Sequence, residues 1–275
     1  MAQTHPLPEG AVRRLGSARL RHHGDATGVV YTPDGTRIVS CGNDSAVRIW
    51  DPKTGRQLRE FRSPDKNDRE FGGLAITPDG KFVIAGTSRT FGTGRLCIWD
   101  FATGRCVATM EAHADRLRDV ACSHDGRFVA SAGDDGRAIV FDLTKRVRVY
   151  ALETGGNTYS VDFSTDGRYV ATASKGGAVE WDLGTGKRRR ALKPPDKESG
   201  EPSGIAYSPD GKYLAVSWWM AKVGIYSAKT GQLKHVLRRG GRRGDAIAWS
   251  PDSTRFVTAD FQSNVIVWDA ETWKE

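Results

Sequence analysis

One stretch of the sequence decides the fold, and it reads YTPDGTRIVSCGNDSAVRIWDPKTG at residues 31–55. It contains three markers in order: an Asp-Gly turn, a Trp-Asp pair and a Thr-Gly pair. The turn occurs six times along the chain, and its aspartates lie 45, 46, 41, 44 and 42 residues apart. The six copies are Pro33-Asp34-Gly35, Pro78-Asp79-Gly80, His124-Asp125-Gly126, Thr165-Asp166-Gly167, Pro209-Asp210-Gly211 and Pro251-Asp252-Ser253. This regular spacing indicates a structural repeat of roughly 42 residues.

The other two markers follow each turn in the same order. The second marker is found as Trp50-Asp51, Trp99-Asp100, Phe141-Asp142, Trp181-Asp182, Tyr226-Ser227 and Trp268-Asp269, and the third as Thr54-Gly55, Thr103-Gly104, Thr185-Gly186 and Thr230-Gly231. The segments between markers alternate polar and apolar residues and are rich in β-branched and aromatic side chains, which predicts short strands. The Asp-Gly turn tolerates the left-handed backbone that a tight hairpin needs. Each repeat is therefore predicted to form four antiparallel strands.

This ordered set of markers resembles the WD40-repeat family, and in particular bacterial-type WD40 arrays, from residue 17 to residue 275. The resemblance implies an all-β fold, a β-propeller of six four-stranded antiparallel blades. Residues 1–16 are expected to form an N-terminal extension, and residues 17–275 a single propeller of six repeats. The alternative is a fragment of a seven-blade or longer array.

Closure of the ring is expected to involve the N-terminal segment. The residues after Asp269 end at Glu275, before a fourth strand of the last blade could form. A strand at Ser17–Arg21 would complete that blade and remove an open sheet edge, which otherwise invites aggregation.

The resemblance also implies a hydrogen-bonded tetrad of His, Asp, Ser or Thr, and Trp within a blade. The first repeat supplies His22, Ser40, Asp44 and Trp50, and the third supplies His113, Ser131 and Asp135, with Phe141 in place of Trp. Such a chain of hydrogen bonds satisfies buried polar groups, so both histidines are interpreted as structural rather than as catalytic bases. The other four blades lack a complete set and are expected to hold together by packing alone.

Composition and motifs restrict the classes of function. The chain has 41 Lys and Arg against 33 Asp and Glu, a formal net charge of +8, which permits weak attraction to polyanions. No apolar window approaches the roughly 18 residues of a membrane span, and the first 20 residues contain no apolar block, so a secretory signal is not expected. The four cysteines lack the paired spacing of zinc or redox motifs. A reduced, cytoplasmic location without membrane contact is therefore expected.

No motif indicates catalysis. The chain has no phosphate-binding glycine loop, no nucleophile elbow and no histidine pair of the zinc-protease kind. The aspartates of the turns, such as Asp34, Asp79 and Asp210, are explained by turn geometry. We therefore predict no catalytic residue, no cofactor and no metal, and the protein is not expected to be an enzyme.

Two features favour binding. The first is a set of aromatic and sulfur-containing residues in inner loops of the second, fifth and sixth repeats: Phe91, Trp218, Trp219, Met220 and Phe261. Exposed aromatics on a rigid face are typical interface anchors, although one of the two tryptophans could instead fill the space left by the missing tetrad. The second is a basic loop at residues 238–243, with Arg238, Arg239, Arg242 and Arg243, which could bind carboxylates or phosphates. The alternative interpretation is that this loop is a solvated surface loop without a binding role.

A third basic run, Lys187–Arg190, is predicted to face solvent on an outer strand and to discourage edge pairing. The function that fits best is a monomeric, non-catalytic protein-interaction scaffold, which presents loops on one propeller face to partners with acidic or apolar segments. The alternative is a polyanion-binding module that uses residues 238–243 toward nucleic acid or acidic proteins, with nucleic acid not favoured.

Overall fold

The computed structural model describes residues 22–68, 70–88, 93–238, 246–259 and 265–275. Within these ranges the chain forms six antiparallel sheets of consecutive strands, five with four strands and one with three. We call them blades 1 to 6 in chain order. The first strand of each blade contacts the first strand of the next, from blade 1 through blade 6, so these strands are innermost. The predicted all-β propeller of six blades is confirmed.

The strands have the following bounds. Blade 1 contains β1 (Ala26–Tyr31), β2 (Ile38–Gly42), β3 (Ala46–Trp50) and β4 (Gln57–Arg62), blade 2 contains β5 (Glu70–Ile76), β6 (Phe82–Ser88), β7 (Gly94–Asp100) and β8 (Cys106–His113), and blade 3 contains β9 (Leu117–Cys122), β10 (Phe128–Gly133), β11 (Arg137–Asp142) and β12 (Val147–Glu153). Blade 4 contains β13 (Thr158–Phe163), β14 (Tyr169–Ser174), β15 (Gly177–Asp182) and β16 (Arg188–Leu192), blade 5 contains β17 (Pro202–Tyr207), β18 (Tyr213–Trp218), β19 (Lys222–Ser227) and β20 (Leu233–Arg238), and blade 6 contains β21 (Ala246–Trp249), β22 (Arg255–Ala259) and β23 (Val265–Asp269). The expected closing strand, Ser17–Arg21, lies outside the described residues.

The turn between the first and second strands explains why Asp-Gly recurs. In blade 1 the Thr32 hydroxyl donates to Asp34 at 2.5 Å, and the backbone N–H of Thr36 donates to the same carboxylate at 3.0 Å. Gly35 has a φ of +67°, a left-handed conformation that glycine adopts without strain. The hydroxyl-to-aspartate bond recurs in the other five turns. The turn aspartates are therefore hydrogen-bonded parts of the turns.

The hydrophobic core lies between the blades. Five clusters of buried residues each join the second and third strands of one blade to the innermost strand of the next. In the first cluster, Val47 and Ile49 of β3 pack with Leu74 of β5. Each outermost strand adds one apolar side chain to its cluster, and these are Phe61, Met110, Leu152, Leu192 and Leu237.

The expectation that packing alone holds the blades without a complete tetrad is wrong. In blade 2, Arg95 donates to Asp68 at 2.7 Å, and in blade 5, Lys222 pairs with Asp196 at 2.6 Å. Both aspartates lie in the longer loops before blades 2 and 5, which carry them over the sheets. The Arg95–Asp68 pair is buried, and the exposed Asp196 carboxylate satisfies the buried Lys222 ammonium group, so each pair supplies a polar contact where the tetrad is absent.

As predicted, Lys187, Arg188 and Arg189 are exposed where the chain enters the outermost strand of blade 4, but Arg190 is half-buried and does not simply face solvent. Glu180 of β15 is fully buried, accepts a hydrogen bond from the Tyr207 hydroxyl at 2.6 Å, and pairs with Arg190. Arg190 also donates to the Lys229 carbonyl at 3.1 Å. A buried carboxylate needs a cation beside it, so this arginine connects blades 4 and 5.

Candidate functional site

The innermost strands of all six blades line a central cavity of about 620 Å³. Its lining residues lie near the starts of these strands, so the cavity opens on the face that carries the blade-to-blade loops. Half of the lining residues are glycine, alanine, serine or threonine, which lets the strands approach closely. A Cβ atom on Gly73, for example, would lie 2.5 Å from the backbone nitrogen of Val120. The channel is therefore narrow, and its mouth is the accessible part.

Two carboxyl groups on innermost strands connect neighbouring blades. Asp119 accepts hydrogen bonds from the Ser160 hydroxyl at 2.8 Å and the Val161 backbone N–H at 3.1 Å. Asp162 accepts one from the backbone N–H of Tyr207 at 2.8 Å. Burial raises the pKa of Asp119, and burial raises the pKa of Asp162 to about 7 against the lowering effect of its hydrogen bonds. These carboxyls join blade 3 to blade 4 and blade 4 to blade 5.

The mouth of the channel has an aromatic and sulfur-containing sector. Tyr159, which lines the cavity, packs against Trp219 with ring centroids 5.9 Å apart. The Tyr159 hydroxyl donates to Glu201 at 3.1 Å. Trp219, Met220 and Ala221 form the turn between β18 and β19, and Met220 is 57% exposed. This turn holds an apolar side chain in solvent beside an ordered aromatic pair.

A basic sector lies on the blade 3 side of the same mouth. Arg116 and Arg118 both line the cavity. Arg118 donates to both carboxylate oxygens of Asp134, with distances of 2.7 to 2.9 Å, and Arg116 lies 3.2 Å from Glu70. The arginines are thus oriented by carboxylates while each retains an exposed part. We call Arg116, Arg118, Tyr159, Trp219 and Met220 the channel-mouth surface.

The assignment of Trp218 to the binding surface is wrong. Its side chain is 2% exposed and belongs to the core between blades 4 and 5, with Leu214 and Val216. The reason is strand alternation: residues 214, 216 and 218 of β18 share one face. Trp219 follows the end of the strand and is half-buried. Only the second of the two tryptophans reaches the surface.

The remaining predicted binding residues divide into two groups. Met220 is exposed, and so is Arg238 at the end of β20. The others, Phe91, Phe261, Arg239, Arg242 and Arg243, lie outside the described residues. The sequence analysis did not predict Tyr159, Arg116 or Arg118 as binding residues. What these three residues share in the sequence is a place at or just before the start of an innermost strand.

The structure brings the four tetrad residues of blade 1 together. Trp50 donates its indole N–H to the Ser40 hydroxyl at 2.8 Å, and Ser40 lies 2.7 Å from His22 Nε2. His22 Nδ1 lies 2.8 Å from Asp44 and 2.6 Å from the Arg48 guanidinium. Arg48, which is buried and was not predicted, donates to Asp44 at 2.6 Å.

Blade 3 contains the same arrangement without the indole. His113 Nδ1 lies 2.9 Å from Asp135, and its Nε2 lies 2.9 Å from the Ser131 hydroxyl. Phe141 is buried at the Trp position. His113 has both ring nitrogens engaged, so it has no nitrogen available to act on a substrate.

Within the residues that the structure describes, no group of three or more His, Cys, Asp or Glu side chains is placed to hold a metal ion. In the same ranges, no helix has the length and hydropathy to cross a membrane.

Comparison with known protein families gives two partial matches. The family model described as WD domain, G-beta repeat matches residues 16–51 and 245–269, which lie in the first and last repeats. A second model, the cytochrome D1 heme domain, matches residues 89–177. That stretch contains two histidines: both ring nitrogens of His113 are engaged in hydrogen bonds within blade 3, and His124 lies in the exposed turn between β9 and β10. No haem chemistry is carried over from this match.

Curated proteins match between 40% and 90% of this chain. Autophagy-related protein 16 of Arabidopsis thaliana is 26% identical over 254 residues, 90% of this chain and 48% of the relative. Protein groucho of Drosophila melanogaster is 28% identical over 239 residues, 82% of this chain and 32% of the relative. Nuclear distribution protein PAC1 of Arthroderma otae is 31% identical over 120 residues, 40% of this chain and 24% of the relative. The chain spans less than half the length of these relatives.

The six blades around a channel define a β-propeller. The ordered repeat markers, the tetrad geometry and these matches support a WD40 β-propeller.

Proposed function

We propose that this chain is a non-catalytic protein-interaction scaffold that binds its partners at the channel-mouth surface. The observation that carries the proposal is the turn at Trp219 and Met220. Met220 is exposed there beside the aromatic pair of Trp219 and Tyr159, and the Tyr159 hydroxyl is held by a hydrogen bond to Glu201. Rigid aromatic anchors lose little conformational entropy on binding and dominate interface energies. The WD40 relationship supports the same class of function.

The chemistry of the surface indicates what a partner carries. Met220 and Trp219 suit an apolar side chain, and the exposed parts of Arg116 and Arg118 suit an acidic group beside it. The proposed partner is therefore a protein segment with both apolar and acidic residues. The proposed setting is the cytoplasm, since the four cysteines are free and a reducing compartment keeps them so.

The proposal is tested by affinity capture from cells of the source organism with matched variants of the full chain. Met220→Glu places a charge in the apolar sector, and it is expected to reduce capture of specific partners about tenfold or more, as loss of an interface hot spot does. Val149→Glu is the control, because Val149 is exposed on the outermost strand of blade 3, away from the mouth. Partners captured equally by wild type and Met220→Glu would contradict the proposal.

A second candidate function is polyanion binding. It is favoured by the net charge of +8 and by the exposed position of Arg238 at the start of the basic loop. Binding to a short DNA duplex or to heparin would then weaken steeply with salt concentration, whereas partner capture through Met220 would change little. Measuring both over a salt series separates the two functions.

A further inference from the structure

The outermost strand of each four-stranded blade has one position that faces the next blade. It pairs with the third-strand residue just before the aromatic residue of the second marker. Two residues further along is the apolar side chain that enters the core with the next blade, so by alternation both lie on the same face. We call it the bridging position, and in blades 1 to 5 it holds Arg59, Ala108, Tyr150, Arg190 and His235.

In blades 1 and 4 the bridging residue is an arginine that binds the next blade. Arg59 donates to the Ala102 carbonyl at 3.0 Å, and Arg190 donates to the equivalent carbonyl of Lys229 at 3.1 Å. Both carbonyls belong to the turn between the third and fourth strands of the next blade. Each arginine therefore spans the groove between two blades.

In blades 3 and 5 an aromatic ring takes the bridging position. Tyr150 packs on the corresponding turn of blade 4, where a Cβ atom on Gly186 would lie 2.5 Å from the tyrosine ring. His235 stacks on Trp273, which follows β23, with ring centroids 4.5 Å apart. Four of the five bridging side chains therefore contact the next blade.

Blade 2 is the exception, because Ala108 has only a methyl group at the bridging position. A cavity of about 400 Å³ lies there between blades 2 and 3. Its apolar walls include Phe82 of β6, Leu143 of the blade 3 turn and Ala108 itself. We call it the blade 2–3 pocket. It lies beside the Asp-Gly turns, at the opposite ends of the innermost strands from the channel-mouth surface.

The junction between blades 3 and 4 shows what such walls accommodate. There Phe128 and Leu183 lie with Tyr150 at the edge of the core. Phe82 and Leu143 hold the equivalent places in the blade 2–3 pocket. Each phenylalanine begins a second strand and pairs with the aspartate of the second marker, and each leucine follows that aspartate in the next blade. The pocket thus has the walls that accompany a tyrosine one blade further on, with an alanine in place of the tyrosine.

We propose that the blade 2–3 pocket binds a tyrosine side chain of a partner protein. The tyrosine ring packs against Phe82 and Leu143. Asp79 and Asp125 also line the pocket, and a carboxylate accepts a hydrogen bond from the tyrosine hydroxyl, which favours tyrosine over phenylalanine. The pocket gives the protein a second binding site, separate from the channel mouth.

The charge at the rim of the pocket supports the same occupant. Arg146 lies in the blade 3 turn, is exposed, and donates to the Val107 carbonyl at 3.3 Å. Its positive charge complements the negative face of an aromatic ring. An arginine from the partner, by contrast, would meet the like charge of Arg146. The arginines that bridge blades 1 and 4 are therefore poorer guides to the occupant than Tyr150.

The test fills the pocket from within. Ala108→Tyr places a tyrosine at the bridging position, and Thr109→Tyr is the matched control, because Thr109 is exposed on the same strand. A random peptide library displayed on phage is first depleted on Ala108→Tyr, which removes peptides that bind any other surface, and is then selected on the wild-type full chain. The selected peptides are expected to share a tyrosine. They are expected to bind Ala108→Tyr at least about tenfold more weakly than wild type or Thr109→Tyr.

Selected peptides that lack a tyrosine, or a library from which depletion removes every binder, would overturn the proposal. Ala108→Arg copies the bridging residue of blades 1 and 4 and takes the place of Ala108→Tyr if that variant does not fold. A wild-type chain that dimerises, and that Ala108→Tyr makes monomeric, would assign the pocket to the exposed Tyr31 of a second copy and would also overturn the proposal. Met220→Glu is expected to bind the selected peptides as wild type does, so failure of this test leaves the channel-mouth function untouched.

Discussion

At the scale of single residues, Asp162 makes one defined contribution to the way stability responds to pH. Burial raises the pKa of its carboxyl to about 7, and the negative charge of Asp119 acts in the same direction, while hydrogen bonds from Tyr207 and Phe163 lower it. In the unfolded chain an aspartate titrates near its ordinary value of about 4. Between these values the folded protein holds a proton that the unfolded chain has released. Stability from this group therefore falls as pH rises from about 4 to about 7.

Substitution Asp162→Asn removes this titration. The melting temperature of the variant, relative to wild type, is expected to rise steadily between about pH 4 and about pH 7 and then to level off. Thermal unfolding across this pH range measures the difference. The matched control is Asp166→Asn in the nearby surface turn. Burial would raise the pKa of Asp166, but hydrogen bonds from Ser164 and Arg168 lower it overall, so it titrates below this window. Parallel curves for wild type and Asp162→Asn would show that Asp162 stays ionised.

At the scale of the element, the hydrogen bonds among His22, Ser40, Asp44 and Trp50 fix the position of β2 and β3 relative to the loop before β1. Burial alone would raise the pKa of Asp44, but hydrogen bonds from His22, the His23 backbone N–H and Arg48 hold it well below its usual range. Arg48 also lies 3.3 Å from Glu60 of β4, so the polar chain spans the whole blade. The guanidinium charge of Arg48 is fully buried, so it needs the Asp44 carboxylate beside it.

Removal of the Asp44 carboxylate leaves several buried donors without their acceptor. Asp44→Ala is expected to lower the free energy of unfolding by about 1–3 kcal/mol, the usual penalty for stranding a buried polar group. Asp252→Ala is the comparison, because its carboxylate accepts hydrogen bonds from Ser250 and Thr254 in an exposed turn. It is expected to cost less. Urea denaturation gives the free energy of unfolding of both variants. Equal decreases would mean that the hydrogen bonds of Asp44 in blade 1 stabilise the protein no more than those of Asp252 in a surface turn.

The elements of the blades show how much of the structure can be predicted from the sequence. The repeated turn is local, since hydroxyl, aspartate and glycine lie within four residues, and the sequence pattern therefore located all six turns. The position of Trp218 depends on where β18 ends, and alternation placed it in the core. The pair of Arg95 and Asp68 spans 27 residues through a long loop, and no local pattern marks it. Tyr159 and Arg118 belong to one surface because the innermost strands surround the channel, and no local sequence pattern predicts that arrangement.

At the scale of the whole molecule, burial is uneven around the ring. Contacts of the same type join each blade to the next from blade 1 to blade 6, and the equivalent side chains on the outer walls of blades 1 and 6 are exposed. This distribution was not predictable from the repeat, because the markers of blades 1 and 6 resemble the others. It depends on which blades pack against each other, which the repeat markers do not encode.

Two valines at the same register position measure this difference directly. Val120→Ala removes methyl groups from a closed core and is expected to lower the free energy of unfolding by about 2 kcal/mol. Val29→Ala removes the same atoms from an exposed wall and is expected to change it by less than about 0.5 kcal/mol. Because the substitution and the paired second-strand serine are the same in both, local strand propensity cancels and burial is the remaining variable. Chemical denaturation of the two variants at equal protein concentration gives both values. A loss for Val29→Ala that matched Val120→Ala would show that blade 1 is packed against another sheet in the isolated protein.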